Sequence, residues 1–309
     1  MGSISAALGR GDDTEMRRSA RMALWLSLLY GTLVYPLFFA SAPLLIALGQ
    51  DPEIASLAQD YLRIAGIGMI PALVVMVLKS YLAANERTQI VLWVTLGGVV
   101  FNALVNYAFI FGNWGAPELG VRGAAYASLL TQSLTALGLA LYAGWLPELR
   151  HVRLFQRFWR PDWPAFATVF KHGVPIGLTG LAEGGLFQAS ALMMGWIGTL
   201  ELAAHGIALE ITAMAFMVHL GLSNAATVRV GRAHGRRDQA AMGRAALAAI
   251  ALSGLFAVIM VAMFLIFAEP LIALFLETEN PDAPRIIAFG ATLLAVAATI
   301  LIRFRQKPN

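Results

Sequence analysis

The sequence predicts an all-α polytopic membrane protein made of two repeated halves, and three observations predict it. Of its 309 residues 59% are hydrophobic and only 13% charged, with a mean hydropathy of +0.70, whereas a soluble chain carries about a quarter charged residues. Apolar runs of about 20 residues, enough to cross about 30 Å of hydrocarbon, recur near 23–48, 61–82, 89–111, 123–146, 174–196, 202–222, 243–267 and 285–302. The chain also matches itself at one fixed offset. Ala7, Gly9, Arg10, Asp12, Met16, Arg18 and Ala20 stand 226 residues before Ala233, Gly235, Arg236, Asp238, Met242, Arg244 and Ala246, and Leu45–Leu48 repeats as Leu271–Leu274 at the same offset. A self-match through a polar loop and the end of the following helix marks a repeat.

The offset divides the chain into a first half over residues 1–146, a linker over 147–172 and a second half over 173–309. It also places the mates of residues 175–231 before Met1 and those of 84–146 beyond Asn309, so the arithmetic predicts an internal portion of a longer design. In the first half, Pro36 and Pro71 fall inside apolar runs and are expected to kink or break them. Asn102 and Asn106 stand four apart on one helix face. They can offer carbonyl oxygens to a cation or bond a neighbouring helix, and spacing alone leans towards the second.

The linker interleaves Arg150, Arg153, Arg157 and Arg160 with Leu154, Phe155, Phe158 and Trp159. That pattern predicts an interfacial amphipathic helix joining the halves, the alternative being an ordinary basic loop whose aromatics sit at headgroup level. Arginines alternating with buried aromatics in a membrane loop argue against nucleic-acid binding.

The second half carries the costly groups. Glu183 lies eight residues into its apolar run and Glu210 about seven into the next, so each is roughly 11–12 Å deep at 1.5 Å per residue. No Lys or Arg in either helix lies at matching depth. Such carboxyls must be protonated, bound to a cation or facing a watery cavity, which describes a proton or sodium site; the alternative is a neutral acid tying helices together. Gly180, Gly184 and Gly185 make room around Glu183 and favour the functional reading there, although the spacings Gly173–Gly177 and Gly180–Gly184 equally suit helix-packing faces; Glu210 stays open between the two. The pairs Met193–Met194 and Met214–Met217 can form an adaptable apolar wall for varied small molecules, although plain packing is the commoner use of such methionines. His205 and His219, fourteen residues apart on one helix, are about 21 Å apart and cannot share a metal; interfacial histidines are expected.

Orientation follows from the basic residues. All but Arg63, Arg122 and Arg285 of the 22 Lys and Arg fall on one side when alternate loops are taken together. That side, with both termini, is expected to be cytoplasmic. No cysteine is present, and no Walker loop, G-x-S-x-G or H-E-x-x-H occurs, so no enzyme is predicted.

Longer ordered stretches resemble a known family. The first half carries Leu48-Gly49-Gln50-Asp51-Pro52-Glu53, Tyr61-Leu62, Glu86-Arg87-Thr88, Asn102-Ala103-Leu104-Val105-Asn106-Tyr107 and Gly115-Ala116-Pro117-Glu118-Leu119-Gly120. The second carries Gly173-Val174-Pro175, Glu183, Ala203-Ala204-His205, Gly221-Leu222-Ser223-Asn224-Ala225-Ala226 and Val228-Arg229-Val230-Gly231. Together they resemble the multidrug and toxic compound extrusion (MATE) family, in its NorM-type branch. The resemblance implies a two-lobe helical bundle with about eight of the family's twelve transmembrane helices, corresponding to its third to tenth. It implies a multi-pass protein of the bacterial inner (plasma) membrane that expels organic cations and other drugs in exchange for Na+ or H+, with no cofactor beyond that ion. Glu183 falls on the family's coupling glutamate, and Asn102 and Asn106 on the face where one branch places a coupling aspartate. The asparagine argues against coupling through the first lobe. Residues 293–307 lack the family's tenth-helix aspartate. Two other readings stand beside this one. A lipid-linked precursor flippase of similar fold would carry basic residues at mid-membrane depth, where this chain shows none. An inactive fragment would act only by association with another chain.

Overall fold

In hydrocarbon an unpaired backbone N–H or C=O finds no water, so a spanning segment must satisfy its own hydrogen bonds, and a helix does so within itself. The computed structural model describes residues 2–47, 49, 52–145, 154–155, 158–160, 162–276 and 282–304. Among these, every regular element is helical: α1 (Gly2–Arg10), α2 (Asp13–Phe39), α3 (Ser41–Ala47), α4 (Pro52–Ala84), α5 (Thr88–Phe111), a 3₁₀ turn (Asn113–Gly115), α6 (Gly120–Trp145), α7 (Trp163–Ile197), α8 (Thr199–Gly235), α9 (Gln239–Ile266), α10 (Ala268–Ala273) and α11 (Ala283–Phe304). By length and composition α2, α4, α5, α6, α8 and α9 can cross a membrane. Of the eight expected spans, the one on α7 is diluted by Gly173, Gly177, Gly180, Gly184, Gly185 and Gly195, and the one on α11 is a shorter apolar helix over Ala283–Ala298.

Several helices outrun their apolar windows. α4 begins at Pro52 rather than 61, α7 at Trp163 rather than 174, and α8 runs on to Gly235 rather than 222. Hydropathy locates the hydrocarbon, not the helix, and polar turns continue a helix beyond it. Neither expected proline break occurs at the proline. α4 passes through Pro71, and α2 ends three residues after Pro36, whose carbonyl oxygen accepts from the Ala40 N–H at 3.0 Å.

The chain divides into two compact units, Met1–His172 with Gly231–Arg237, and Gly173–Val230 with Asp238–Asn309. The first is built around Met16, Val75, Leu78, Tyr81, Leu82 and Leu139, with Ile4, Ala7 and Ala20 closing one end. The second packs Ala208 and Ile211 of α8 against Met260 and Phe264 of α9, Ile272 of α10 and Leu294 and Ala298 of α11. These cores are thin for such apolar helices. α5 buries no residue although Trp93, Leu96, Val99 and Val100 are exposed, as expected where lipid rather than water covers the surface.

The repeat is visible in atomic detail. Gly11 and its mate Arg237 both adopt left-handed φ, +74° and +57°. Each N–H bonds the carbonyl three residues back at 3.0 Å. Asp12 and its mate Asp238 then cap α2 and α9, accepting at 2.8 Å from the N–H of Glu15 and Ala241. A cap of this kind contributes about 1 kcal/mol.

Within the first unit the last turn of α8 lies across α1. A Cβ on Gly235 would drive into the carbonyl oxygen of Ala6, and one on Gly9 into that of Arg232. One on Gly231 would stand 2.9 Å from Ser5 Cβ. Ala6 and Arg232 are repeat-mates, as are Gly9 and Gly235, so the same contact occurs twice with its partners exchanged. Side-chain-free positions let the two backbones touch. Arg232 also reaches Glu86 in the α4–α5 turn as an ion pair.

The linker's Arg150, Arg153 and Arg157 lie outside the described residues. Around them, Leu154 is buried in the first unit's core, Trp25 donates its indole N–H to the Phe158 carbonyl oxygen at 2.9 Å, and their rings stack at 6.0 Å. Arg18 grips Asp162 with two hydrogen bonds of 2.5 and 3.0 Å. The described linker residues before Trp163 form turns rather than a helix.

The chain has no cysteine, so the double substitution S5C/G231C reports on the crossing directly. Mild oxidation is expected to close an intrachain disulfide once the 2.9 Å Cβ separation opens slightly to the roughly 3.5–4.5 Å a disulfide needs, visible as a mobility shift on a non-reducing gel. An unshifted band would show that α1 does not lie there.

Hydrogen bonding to Arg18 holds the Asp162 carboxyl below the usual carboxylate range. A carboxylate whose folded pKa is depressed stabilises the fold above its unfolded value of about 3.9 and loses that contribution as pH falls through the folded one. Thermal stability should therefore drop on acidification below about pH 4, and the Arg18→Ala variant should show a smaller drop over that window.

Candidate functional site

The α7–α8 hairpin turns at Gly198, and its rungs can be counted from there. Ser190 Oγ and His205 Nε2 meet at 3.1 Å one rung in. Continuing away from the turn, Glu183 lies roughly 21 Å along α7 from Ile197, and Glu210 roughly 17 Å along α8 from Thr199. The two carboxylates thus stand at similar height on neighbouring helices. Both are exposed, and neither has an ion pair or hydrogen bond among the described residues.

The surroundings of Glu183 are open. A Cβ added at Gly173, Gly177, Gly180, Gly184 or Gly185 would meet nothing within 4 Å, and α7 buries no residue. These five glycines therefore do not seat another described segment of the chain; they leave space beside a bare carboxylate. In a hydrocarbon setting such a group requires water, a proton or a cation.

The methionines do not form one wall. Met214 stands roughly 22 Å from Thr199, level with Glu183, and Met217 roughly 27 Å, whereas Met193 is only roughly 6 Å from Ile197. All three are 58–60% exposed. Met214 alone of the three shares the height of the carboxylates.

Asn102 and Asn106, in the first unit, are drawn into a ladder between α5 and α6. The Asn106 amide donates to Asn102 Oδ1 at 2.9 Å, the Asn102 amide donates to Thr131 Oγ1 at 3.2 Å, and the Thr131 hydroxyl donates to the Ala127 carbonyl oxygen at 2.7 Å. The pair bonds a neighbouring helix, which leaves the Asn106 carbonyl oxygen as the pair's one side-chain oxygen without a protein partner among the described residues.

His219 lies on a groove of about 280 Å³ between α8 and α9, its ring edge-on to Phe256 at 5.2 Å between centroids. The groove joins residues from two helices separated by a loop, so no spacing within either helix announces it. The partners of Glu86 and of Arg18 were equally invisible, because each ion pair spans more than 140 residues. No group of three or more His, Asp or Glu that could hold a metal occurs among the described residues.

The MatE family model matches residues 2–108 and 175–304. Over 297 residues, 95% of the chain, it is 46% identical to a protein of Rhizobium meliloti named "Probable multidrug resistance protein NorM". A protein of the same name from Agrobacterium fabrum is 40% identical over 294 residues. The chain spans 63% of the length of each. Among solved structures, a transporter of the MOP superfamily from Pyrococcus furiosus superposes with a TM-score of 0.84 at 24% identity, covering 97% of this chain and 66% of that one. The repeated halves, the long helices and the family match over most of the sequence agree: the chain belongs to the MatE family.

Proposed function

We propose that this chain forms part of a cation-coupled multidrug efflux antiporter, and that Glu183 is where the coupling ion, Na+ or H+, is loaded. The observation that carries the reading is the carboxylate itself. It stands mid-way along α7, without a protein partner among the described residues, beside glycines whose missing side chains leave open space. A group so placed is stabilised by whichever cation reaches it, and that differential stabilisation is what shifts a transporter between conformations. Glu210, at similar height, is a second carboxylate on the same ion path, and Met214 a soft apolar surface beside it. The substrates would be organic cations and related drugs, in keeping with the names of the NorM relatives. The protein would act as a transporter rather than an enzyme, without a bound cofactor and without nucleic acid. The basic loops and both termini would face the cytoplasm of a bacterial inner membrane.

The test is export of a fluorescent organic cation from proteoliposomes under an imposed sodium or proton gradient. Glu183→Gln keeps the volume and hydrogen bonding but removes the charge, and should reduce gradient-driven export at least tenfold with the folded fraction unchanged. Export at the wild-type rate in this variant would refute the role of Glu183.

A further inference from the structure

The turn that joins α8 to α9 is built like its repeat-mate before α2 but carries the opposite charge. Over Arg10–Glu15 one arginine stands among Asp12, Asp13 and Glu15, and Arg10 pairs with Glu15 at 2.6 Å. Over Arg236–Ala241 two arginines stand beside Asp238 alone, because the mates of Asp13 and Glu15 are Gln239 and Ala241. One arginine against three acids nets −2, and two arginines against one aspartate net +1, on turns of the same left-handed form.

The exchange at the left-handed position is the costly one. Gly11 adopts its φ of +74° with no side chain to hinder it, whereas Arg237 holds +57° with one, a conformation that crowds the Cβ of an L-residue. Two other non-glycine residues among those described share it, and a contact holds each. Glu86 pairs with Arg232, and the Trp114 ring lies edge-on to Tyr107 at 5.4 Å. The Arg237 side chain is exposed and has no hydrogen bond or ion pair among the described residues. A strained cation that no contact in the chain explains points to a use outside it.

Arg236 beside it is exposed as well. Arg229, Arg232 and Arg236 stand three and four apart, so they share one face of α8 over roughly 10 Å of helix. That length is somewhat more than the headgroup layer of one leaflet, about 5–8 Å. Both α8 and α9 are long and apolar enough to cross a membrane, which keeps the turn between them at the bilayer surface. We infer that this turn is a docking surface for the phosphates of anionic phospholipids in the adjoining leaflet, held by the Arg236 and Arg237 guanidiniums. A guanidinium fork meets a phosphate with two parallel hydrogen bonds, and basic clusters beside a spanning helix attract anionic headgroups. The surface is separate from Glu183 and its readout is lipid binding, so it stands whether or not Glu183 couples transport.

Native mass spectrometry of the purified, detergent-solubilised chain can count phosphatidylglycerol and phosphatidylcholine of matched acyl chains as each is titrated in. Phosphatidylglycerol should bind at least fivefold more tightly, an advantage that shrinks with added salt. The double variant R236Q/R237G should lower phosphatidylglycerol affinity at least fivefold. Its phosphatidylcholine binding and its melting temperature in lipid-free detergent should not fall, since Gly11 makes the same turn. The charge-matched control R160Q/K171Q, which removes two exposed cations elsewhere, should stay within twofold of wild type. Should the double variant not elute as a folded species, Arg237→Gly decides alone, with at least a twofold loss. Equal binding of the two lipids, an equal loss in the control, or unchanged affinity in the folded variant would overturn the surface. So would full displacement by inorganic phosphate at the lipid's own concentration, which marks a small-anion site. A fall in melting temperature alone would also overturn it, assigning the arginines to the C-terminal dipole of α8.

Discussion

Hydrocarbon as solvent is the constraint from which the rest of this structure follows. It demands that backbone polar groups be satisfied within each segment, which yields long helices. It also removes the penalty for exposed leucine, valine and phenylalanine, which lets those helices pack sparsely. α5 exposes Trp93, Leu96, Val99 and Val100 and buries no residue, something no water-soluble helix could sustain. With the hydrophobic effect no longer driving helix against helix, the contacts that fix the arrangement are close approach of small residues and hydrogen bonds. The α1–α8 crossing at Gly9 and Gly235 is of the first kind, and the Asn106–Asn102–Thr131 ladder of the second.

The same constraint makes the exceptions informative. An unpartnered polar group costs little on a soluble surface, but along these helices it asks for an occupant. Glu183 is such a place, a negative charge in open space.

Much of the architecture was legible because its signals are local or periodic. Apolar run length locates the helices, and the 226-residue offset announces loops that prove alike down to the left-handed residue before each cap. Asp12 and Asp238 were paired by sequence alone. What escaped depends on where polar residues continue a helix and on which distant residue a side chain meets. α8 extends thirteen residues past its apolar window because Ser223–Gly235 keeps the helical hydrogen bonding beyond the apolar run. The three methionines looked alike in composition, but position along the hairpin puts Met193 far from the other two. Glu183 was legible because an acidic residue in an apolar run is conspicuous. The groove was not, since a serine and a histidine on separate helices carry no such contrast.

The crossing of α1 with the end of α8 has the form of an isologous interface, in which residue i meets j and j meets i. Ordinarily that symmetry belongs to two identical subunits. Here both sides are written into one polypeptide, with Ala6 and Arg232 exchanging places and Gly9 facing Gly235. A half-length ancestor bearing a single copy of this segment would have met a second molecule of itself through the same residues, so gene duplication would have inherited the joint ready-made. Fusion also frees the two copies to diverge, since a change in one is no longer imposed on the other. Arg232 pairs with Glu86, whereas its repeat-mate Ala6 carries no charge, so the two copies of the joint already differ in what else they hold.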